Sequence, residues 1–404
     1  MPATSMTSRE RMLAALDRRE PDHVPCSFML FNSLKSTCRD YAEFIERQVE
    51  LGLDPFVQLP PRPPVVVNDH YNLHGLPVQY DPRVKIREWK EQRADEACLL
   101  LVTEYHTPAG ALRAEVRQTE DWRWGDHVPF LDDYIVPRSR KFLVTGPQDL
   151  EALRFLLVPP TQQETTAYLR EAEPALGLAQ RHHLLVAAGW GVGADLIGWI
   201  HGLDSLVYAA HDQPQFVADM LDLIATWNRQ RMTVMLRAGV DLFIKRAWYE
   251  NLDFWSPAGW RRFLLPIVQA DVALAHAHGA RFGYLITSNC MKLLPLLVEA
   301  GIDAVIGVDP HAWDLARAKA ELGHRVCLWG GVNGHLTVEQ GTPAQVEAEV
   351  ADAMRVLAPG GGFILSPVDN VREDTPTART NVSALIAVWQ TAGRDTGRNP
   401  RGQP

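Results

Sequence analysis

The sequence predicts an α/β protein built as a single (β/α)8 TIM barrel, with an antiparallel β element inserted after the second strand. Two observations support this fold class. From about residue 180 onward, short β-rich runs alternate with longer helical patterns, which is typical of parallel strands joined by crossover helices. With two further runs near the N-terminus, eight occur in 404 residues, the number that closes a barrel.

The eight predicted strands are short apolar runs bounded by turn residues, as expected for strands that are buried on both faces. In chain order they are HVPCSFMLF (23–31), DPFVQL (54–59), HLLVAAGW (183–190), DLFIKRAW (241–248), RFGYLI (281–286), DAVIGV (303–308), RVCLWGG (325–331) and GFILSP (362–367). Parallel order places the carboxyl ends of all these strands at one opening of the barrel.

Residues 62–145 do not follow the alternation of strands and helices. The pieces VKIREWK, CLLLVTEYHTPAG and ALRAEVRQTEDWRW resemble an antiparallel meander, and Thr107–Gly110 has the composition of a hairpin turn. We expect one domain over residues 1–404, with this insertion above the opening at the carboxyl ends of the strands and a frayed tail at about 393–404. The run PPRPP at Pro60–Pro64 reads as a stiff connector or as a plain spacer.

The composition excludes several classes of protein. The chain is 46% hydrophobic and 22% charged, as in globular proteins, and its net charge of −9 with scattered Lys and Arg leaves no basic stripe for nucleic acid. It has no run of about 18 uninterrupted apolar residues, and its five scattered cysteines form no CxxC pair. We expect a cytoplasmic protein with a small-molecule substrate and without nucleic-acid or membrane partners; a homodimer stays open.

Polar residues follow the predicted strands at the end where barrels build active sites. Glu250, Asp309 and Asp369 follow three of the strands, and we predict them as catalytic residues. Like charges and partial desolvation would push the pKa values of Glu250 and Asp369 apart, giving a proton donor and a proton acceptor. The predicted substrate contacts are Asn32, Trp190, Trp248, Tyr284, Asn289, Asn333 and His335. A helix cap, a loop ion pair or a core contact is the alternative interpretation of each.

Other conspicuous residues are interpreted as structural. His182 and His183 begin a strand, so they belong to the end of the barrel away from the chemistry. The run GWGVGAD at Gly189–Asp195 lacks a full GxGxxG pattern and a Walker lysine, which favours a glycine-rich strand exit over a nucleotide site. Lys245 and Arg246 are adjacent in one strand and point oppositely, so at most one faces the barrel interior.

Six segments, in order along the chain, resemble the uroporphyrinogen decarboxylase superfamily. They are RERMLAALDRREPDHVP (9–25), VTGPQDLEAL (144–153), SPAGWRRFLLP (256–266), LLPLLVEAGIDAVIGVD (293–309), GGVNGHLTVEQGTPAQVEAEV (330–350) and GGFILSPVDNVREDTP (361–376). The resemblance implies a barrel enzyme. The superfamily contains the tetrapyrrole decarboxylase and methyltransferases that exchange methyl groups between corrinoid proteins and thiols or methylated small molecules.

The chain departs from the decarboxylase branch at the positions that would hold the substrate. Two arginines of that branch correspond by resemblance to Leu30 and Leu34, and aliphatic side chains cannot pair with the eight carboxylates of uroporphyrinogen. A serine position of the branch resembles Glu250, and a late histidine position falls at or near Asp369. The sequence therefore disfavours decarboxylation of uroporphyrinogen itself.

The chain also departs from the zinc-dependent methyltransferases. Their His-x-Cys pair corresponds by resemblance to Leu285 and Thr287, and their later cysteine to Val368 or Asp369, so a thiolate zinc site is not reproduced. We expect no tightly bound cofactor. A divalent metal stays open, with Cys290, Glu250 and Asp369 as the candidate ligands.

We therefore expect a barrel enzyme that acts on a small organic molecule, by methyl transfer or demethylation linked to a separate corrinoid protein. Two alternatives stay open. One is a decarboxylase or related lyase whose substrate is less anionic than uroporphyrinogen, and the other is a non-catalytic binding protein that keeps the same barrel.

Overall fold

The computed structural model describes residues 6–59, 76, 78–288 and 290–395. Its strands are β1 (Phe56–Leu59), β2 (Lys85–Glu91), β3 (Leu100–Thr107), β4 (Gly110–Arg117), β5 (Ser139–Lys141), β6 (Leu185–Val192), β7 (Leu242–Arg246), β8 (Arg281–Leu285), β9 (Ala304–Val308), β10 (Cys327–Asn333) and β11 (Phe363–Val368). They divide into a parallel sheet of seven strands and an antiparallel sheet of four, which makes this an α/β protein.

The parallel sheet has the order β1-β6-β7-β8-β9-β10-β11. Neighbouring strands are parallel throughout, and successive strands of the second half of the chain lie side by side, as repeated crossover connections require. Seven of the eight predicted strands are therefore confirmed as members of one parallel sheet. Their carboxyl ends lie together at one end of this sheet, which we call the mouth.

The predicted first strand, residues 23–31, is not a regular strand, and that prediction is wrong in this respect. The segment makes two isolated bridges to the β11 side, Cys26 with Leu365 and Leu30 with Asn370. The Cys26 carbonyl also accepts a hydrogen bond of 2.8 Å from the backbone N–H of Asp54, just before β1. The ladder is interrupted after Ser27, because Pro367 of β11 has no N–H to donate and the Met29 N–H donates instead to the Ser366 hydroxyl at 3.3 Å. The segment thus contacts both edges of the sheet.

The described part of the chain contains α-helices before, between and after the strands. They are α1 (Ser8–Leu16), α2 (Asn32–Lys35), α3 (Tyr41–Glu50), α4 (Leu150–Leu153), α5 (Gln162–His182), α6 (Asp195–His201), α7 (Leu203–Asp212), α8 (Pro214–Leu236), α9 (Pro257–Gly259), α10 (Leu265–Ala277), α11 (Leu294–Ala300), α12 (Leu315–Leu322), α13 (Pro343–Leu357) and α14 (Pro376–Asp395). Short 3-10 turns occur at Val136–Arg138, Pro147–Asp149 and Met291–Leu293, and π-helical turns at Trp260–Leu264 and Gly334–Glu339.

Helix α1 packs against the amino ends of the strands. Thr7 and Glu10 form a capping box at its start, and the side chains of Met12 and Leu16 are fully buried among the inward-facing strand residues. Arg9 donates to Asp241, the residue before β7, at 2.6 Å. Because this helix covers the amino ends of the strands, substrate access belongs at the mouth.

The antiparallel sheet has the order β2-β3-β4-β5 and confirms the predicted inserted element. Strands β3 and β4 pair from Leu100 with Arg117 to Thr107 with Gly110, so the predicted hairpin turn lies where the composition indicated. Strand β5 extends the sheet beyond the predicted meander because Glu115 and Val116 of β4 pair with it across a bulge. The proposed connector at Pro60–Pro64 and the end of the predicted tail lie outside the described residues.

None of the helices in the described part of the chain combines the length and the apolar character needed to span a membrane.

Candidate active site at the mouth

Strand β7 carries two adjacent cations that point to opposite sides of the sheet. Lys245 faces the helix layer and lines a cavity with residues of α8 and α10, whereas Arg246 follows Leu242 and Ile244 on the inward face. Both residues are buried, at 1% and 7% exposure. The predicted opposition of the two side chains is correct, and Arg246 is the one inside.

Arg246 is the centre of a buried polar cluster at the mouth, which we call the Arg246 cluster: Arg246, Asp133, Asp195, Tyr249, Trp199 and Trp248. The guanidinium donates from Nε to Asp195 at 3.0 Å and from Nη1 to Asp133 at 3.3 Å. Its carbon lies 4.3 Å from the ring centroid of Trp248 and 4.6 Å from that of Trp199. Two carboxylates and two indole rings therefore fix the orientation of one planar cation.

Asp133 connects the insertion to the mouth. It follows the inserted strands β2, β3 and β4, and besides Arg246 it accepts hydrogen bonds from Trp199 at 2.5 Å and from the Tyr249 hydroxyl at 3.2 Å. The side chain of Asp133 is one-third exposed, whereas that of Asp195 is fully buried. The insertion therefore contributes a charged group to the carboxyl end of β7.

Asp195 is the titratable group of this cluster with the most unusual environment. It accepts from the backbone N–H of Tyr249 at 2.8 Å and of Trp248 at 3.3 Å, in addition to Arg246. Burial raises the pKa of Asp195 to about 6, against the opposing effect of the Arg246 charge. A carboxyl group with this pKa can exchange a proton near neutral pH, as a general acid or base must.

A second buried cluster lies on the other side of β7, between the strands and the helix layer. We call it the Lys245 cluster: Lys245, Glu250, Asp271 and Tyr284. The Lys245 ammonium lies 3.4 Å from both carboxylates, and the Tyr284 hydroxyl donates to Glu250. All four side chains are almost completely buried. Asp271 also lies 3.5 Å from the guanidinium of Arg229, so two cations and two carboxylates meet here.

The carboxylates of the Lys245 cluster favour the charged form of Lys245. Burial by itself would lower the pKa of Lys245, but the carboxylates of Glu250 and Asp271 outweigh it and raise that pKa above its usual value. The Gly193 position lies so close that a Cβ there would be 1.9 Å from Glu250 Oε1. Glu250 also accepts from the backbone N–H of Ala194 at 2.8 Å, which anchors the loop that carries Asp195.

Glu250 and Asp369 do not come together as predicted. Glu250 is fully buried in the Lys245 cluster, and Tyr284, a predicted substrate contact, is buried beside it. The side chain of Asp369 is 37% exposed and pairs with Arg372 at 2.8 Å. Each carboxylate therefore has its own partner. The expectation that both project into one pocket is wrong for Glu250, because its strand exit turns it towards the helices; the catalytic role of either stays a prediction.

Asp369 has an unusual backbone. Its φ is +68°, in the left-handed region that non-glycine residues seldom occupy. Aspartate tolerates this conformation better than most residues, and it ends β11 where the chain turns towards α14. The backbone conformation explains an Asp at this position without any chemical role.

Asp309 and Asn333 do come together at the ends of β9 and β10. The Asn333 amide donates to Asp309 at 2.8 Å, and its backbone N–H donates to Glu349 of α13 at 2.9 Å. Glu349 in turn accepts from Thr337 at 2.9 Å and lies 2.6 Å from His311. Asn333 also caps the π-helical turn that follows, through the N–H of Leu336. This network ties two loops at the mouth to a helix.

The other predicted contacts are scattered around the mouth. His335 is exposed and pairs with Glu339 at 3.0 Å, Asn32 is exposed at the start of α2, and Trp248 belongs to the Arg246 cluster. Trp190 lies in β6, and its side chain falls outside the described part of the structure. Asn289 lies outside the described residues as well.

Cys290 is a buried thiol, and its Sγ lies 3.7 Å from the Ser288 hydroxyl. Burial raises the pKa of this thiol to about 12, so it is protonated at neutral pH. Across the described ranges, no group of three or more His, Cys, Asp or Glu side chains is arranged to hold a metal ion.

An open pocket of about 590 Å³ lies at the mouth beside the irregular segment 23–31. We call it the aromatic pocket. Its lining consists of Phe28, Met29, Leu30, Phe31, Asn32, Lys35, Tyr41, Phe44, Gln48, Phe56 and Gln58. Leu30, at one of the two positions that resemble the decarboxylase arginines, is part of this lining. Leu34, at the other, packs against the main hydrophobic core.

Sequence reasoning missed most of the Arg246 cluster. Asp195 belongs to the run GWGVGAD, whose composition favours a glycine-rich strand exit. No sequence motif marks Asp133 within the insertion. Arg246 was recognised only as one of two opposed cations. The available signal was that Arg246 sits at the carboxyl end of a strand in step with inward-facing Leu242 and Ile244.

The chain is similar to known proteins in both sequence and fold. The sequence profile of the family described as Uroporphyrinogen decarboxylase (URO-D) matches residues 127–391, which is more than half of the chain. A uroporphyrinogen decarboxylase of Chlorobaculum parvum is 29% identical over 148 residues, covering 35% of this chain and 39% of that protein. One of Sodalis glossinidius is 26% identical over 183 residues, covering 44% of this chain and 48% of that protein.

These matches to curated decarboxylases span less than half of each relative's length. Among solved structures, a methyltransferase from Methanosarcina mazei covers 96% of this chain and 99% of its own, with a TM-score of 0.57 and 18% identity, which supports a shared fold. The family profile spans β6 to β11 of the parallel sheet and the residues of both buried clusters. The chain therefore belongs to the uroporphyrinogen decarboxylase family.

Proposed function

We propose that this protein is an enzyme that transfers a methyl group from a small organic molecule to a corrinoid carried by a separate protein. The observation that carries the proposal is the lining of the aromatic pocket, where Leu30 stands at a position that resembles a substrate-binding arginine of the decarboxylases. In this proposal the aromatic pocket binds a small substrate that is largely apolar.

The pocket's charge argues against a polycarboxylate substrate. Lys35 is the single charged side chain among the described residues that line it. Each carboxylate taken out of water needs a charge-assisted partner, so one ammonium cannot accommodate a substrate with eight carboxylates. Arg246 is no substitute, because Asp133 and Asp195 already balance its charge.

The proposed reaction moves a methyl group without its bonding electron pair. The bond between the methyl carbon and the substrate heteroatom breaks, the heteroatom keeps the electron pair and takes up a proton, and the reduced corrinoid supplies the nucleophilic electron pair for the new bond. In this proposal Asp195, with its pKa of about 6, holds the proton that the leaving heteroatom needs. Arg246 keeps Asp195 in place through the 3.0 Å hydrogen bond from Nε.

The second candidate function is a decarboxylase or related lyase that acts on a less anionic substrate. It is favoured by the curated relatives, which are named uroporphyrinogen decarboxylases. Arg246 at the mouth would then orient a single carboxylate through an exchange with Asp133, the more exposed of its two partners. A non-catalytic binding protein on the same barrel is the third alternative.

Two parallel assays test the proposal. The purified protein is incubated with chemically reduced cobalamin and a panel of N-, O- and S-methylated small molecules, and methylation of the corrinoid is followed by absorption. In the second assay uroporphyrinogen replaces the panel, and coproporphyrinogen is measured against a control without enzyme.

We expect methyl transfer from at least one class in the panel and no coproporphyrinogen above the control. Coproporphyrinogen formation would overturn the argument from Leu30. Release of CO₂ from a small monocarboxylate, without any corrinoid methylation, would favour the lyase instead.

A further inference from the structure

We infer that the aromatic pocket binds an uncharged aromatic molecule and that Gln58 selects it by recognising a neutral hydrogen-bonding group. As a statement about the substrate, the inference rests on the proposed function, because the ligand is then the methyl donor. As a statement about binding, it stands on the pocket alone.

The lining of the pocket is rich in aromatic side chains, which can pack against a ring of the ligand. Phe28 and Phe31 lie with ring centroids 4.4 Å apart, and Phe56 is fixed edge-on against Trp329 at 5.8 Å. Phe44 and Tyr41 contribute further ring surface from α3. Small-ligand sites bind mainly through apolar and aromatic contacts with a few placed polar groups, and the lining has this composition.

Gln58 supplies such a polar group from a rigid element. It alternates with Val57 and Leu59, which belong to the main core, so its side chain points the same way as that of Phe56. Its backbone N–H donates to the Tyr41 hydroxyl at 2.8 Å, and its register with Ala187 of β6 fixes its height in the barrel. The backbone position of Gln58 is therefore set before any ligand binds.

The side-chain amide of Gln58 forms no hydrogen bond with any residue in the described ranges, although the residue is partly buried. Gln48, the other glutamine of the lining, differs in this respect. It is 3% exposed, and its amide donates to the Phe44 carbonyl at 3.2 Å. The Gln48 amide nitrogen therefore already has a partner within the protein. Gln58 thus presents both a donor and an acceptor to the pocket.

Charge decides what Gln58 can recognise. No carboxylate is present among the described residues of the lining, so a cationic ligand would lose its hydration there without gaining an ionic partner from them. Lys35 and Asn32 are exposed, whereas Gln58 is partly buried. An anion beside Gln58 would lose its hydration and gain only a neutral amide as partner. A neutral group that both accepts and donates, such as an amide or a hydroxyl, satisfies Gln58 without that penalty.

Three probes of one shape and different charge test the inference: benzamide, benzoate and benzamidine, which are neutral, anionic and cationic at pH 7. Binding of each to the full-length protein is measured by isothermal titration calorimetry, without corrinoid. We expect benzamide to bind at least about tenfold more tightly than either ion, a difference of ~1.4 kcal/mol.

Gln58→Glu is the decisive variant, because it changes one charge at nearly constant shape. It should weaken benzamide and strengthen benzamidine, so that their order of affinity reverses. Gln162→Glu makes the same change at the exposed start of α5 and should leave all three affinities within twofold of wild type. Thermal unfolding of both variants checks that they are folded.

Three results would overturn the inference: equal binding of the three probes by wild type, binding of none, or an order of affinity that Gln58→Glu leaves unchanged. These outcomes are separate from the fate of the proposed function. If the probes bind as expected but no methylated compound transfers its methyl group, the methyl-transfer proposal fails and the neutral aromatic site stands.

Discussion

Lys245 and Arg246 are neighbours in β7, yet they belong to two different kinds of buried cluster. Lys245 lies between the strands and the helix layer. The side chains of its cluster are between 0% and 1% exposed: Lys245, Glu250, Asp271 and Tyr284. Arg246 lies inside the mouth, where one of its partners, Asp133, is one-third exposed and comes from the insertion. One step along a strand therefore separates a fully buried cluster from a buried cluster with one partly exposed carboxylate.

The difference shows which buried charges are candidates for chemistry. In the Lys245 cluster the two carboxylates raise the pKa of Lys245, so the ammonium does not release its proton at neutral pH. In the Arg246 cluster two carboxylates share one guanidinium, and the pKa of Asp195 moves to about 6. Burial also raises the pKa of Asp271, but that carboxyl is enclosed with Lys245 and Arg229, whereas Asp195 shares Arg246 with the partly exposed Asp133.

The largest expected effect comes from removing Lys245. Lys245→Met leaves Glu250 and Asp271 buried with Arg229 as the remaining cation, so we expect a loss of about 3–5 kcal/mol in the free energy of unfolding, measured by urea titration. Lys90→Met, which removes a surface lysine paired with Asp126, is the matched control and should cost at most about 1 kcal/mol. Equal effects of the two substitutions would show that the Lys245 cluster does not stabilise the fold.

The second prediction concerns pH and Asp195. Its folded pKa of about 6 lies above the unfolded value, so the group contributes stability that is complete below pH ~4 and is lost as the pH rises through 6. Wild type should therefore lose about 3 kcal/mol relative to Asp195→Asn between pH 4 and 7. Urea unfolding of both proteins across this range provides the measurement, and parallel curves would mean that the Asp195 pKa is not raised.

A smaller effect, on turnover, is expected for Arg246→Lys. Lysine keeps the charge but cannot donate to Asp195 and Asp133 in one plane while lying over the indole rings. Misplacing Asp195 should lower methyl-transfer turnover by about 10²-fold. Arg281→Lys, at the amino end of β8, is the control and should stay within about twofold, because its partner Asp17 lies at the opposite end of the parallel sheet from the mouth. Similar losses in both variants would remove Arg246 from the proposed mechanism.

The smallest effect is expected at Asp369. A catalytic Asp369 predicts a loss of about 10²- to 10⁴-fold in turnover for Asp369→Asn. Its exposed ion pair and left-handed backbone predict near-normal turnover, and we expect this second outcome. Asp369→Gly, which relieves the backbone conformation, should change the free energy of unfolding by less than about 1 kcal/mol. Turnover per folded molecule and melting temperature, measured together, distinguish the two hypotheses, with Glu250→Gln as the companion variant.

Local sequence determined the positions of the secondary structure. The alternation of short β-rich runs with helical patterns predicted eight parallel strands, of which seven are confirmed, and local sequence also indicated the hairpin at Thr107–Gly110 and the opposed directions of Lys245 and Arg246. These features depend on residues that are close in the chain, so a pattern within a few residues carries them. The irregular pairing of residues 23–31 is the exception, because it depends on contacts with β11.

The tertiary structure decided the partners of each charge. Asp133 reaches Arg246 across 113 positions of sequence, and Asp271 reaches Lys245 across 26, distances over which no local pattern exists. Glu250 follows its strand as predicted, yet its burial beside Lys245 and Tyr284 depends on α10 and β8 packing against β7. Sequence alone placed polar residues at the strand ends; the packing of helices and insertion determined which of them face the mouth, because burial and ion pairing are properties of the assembled layers.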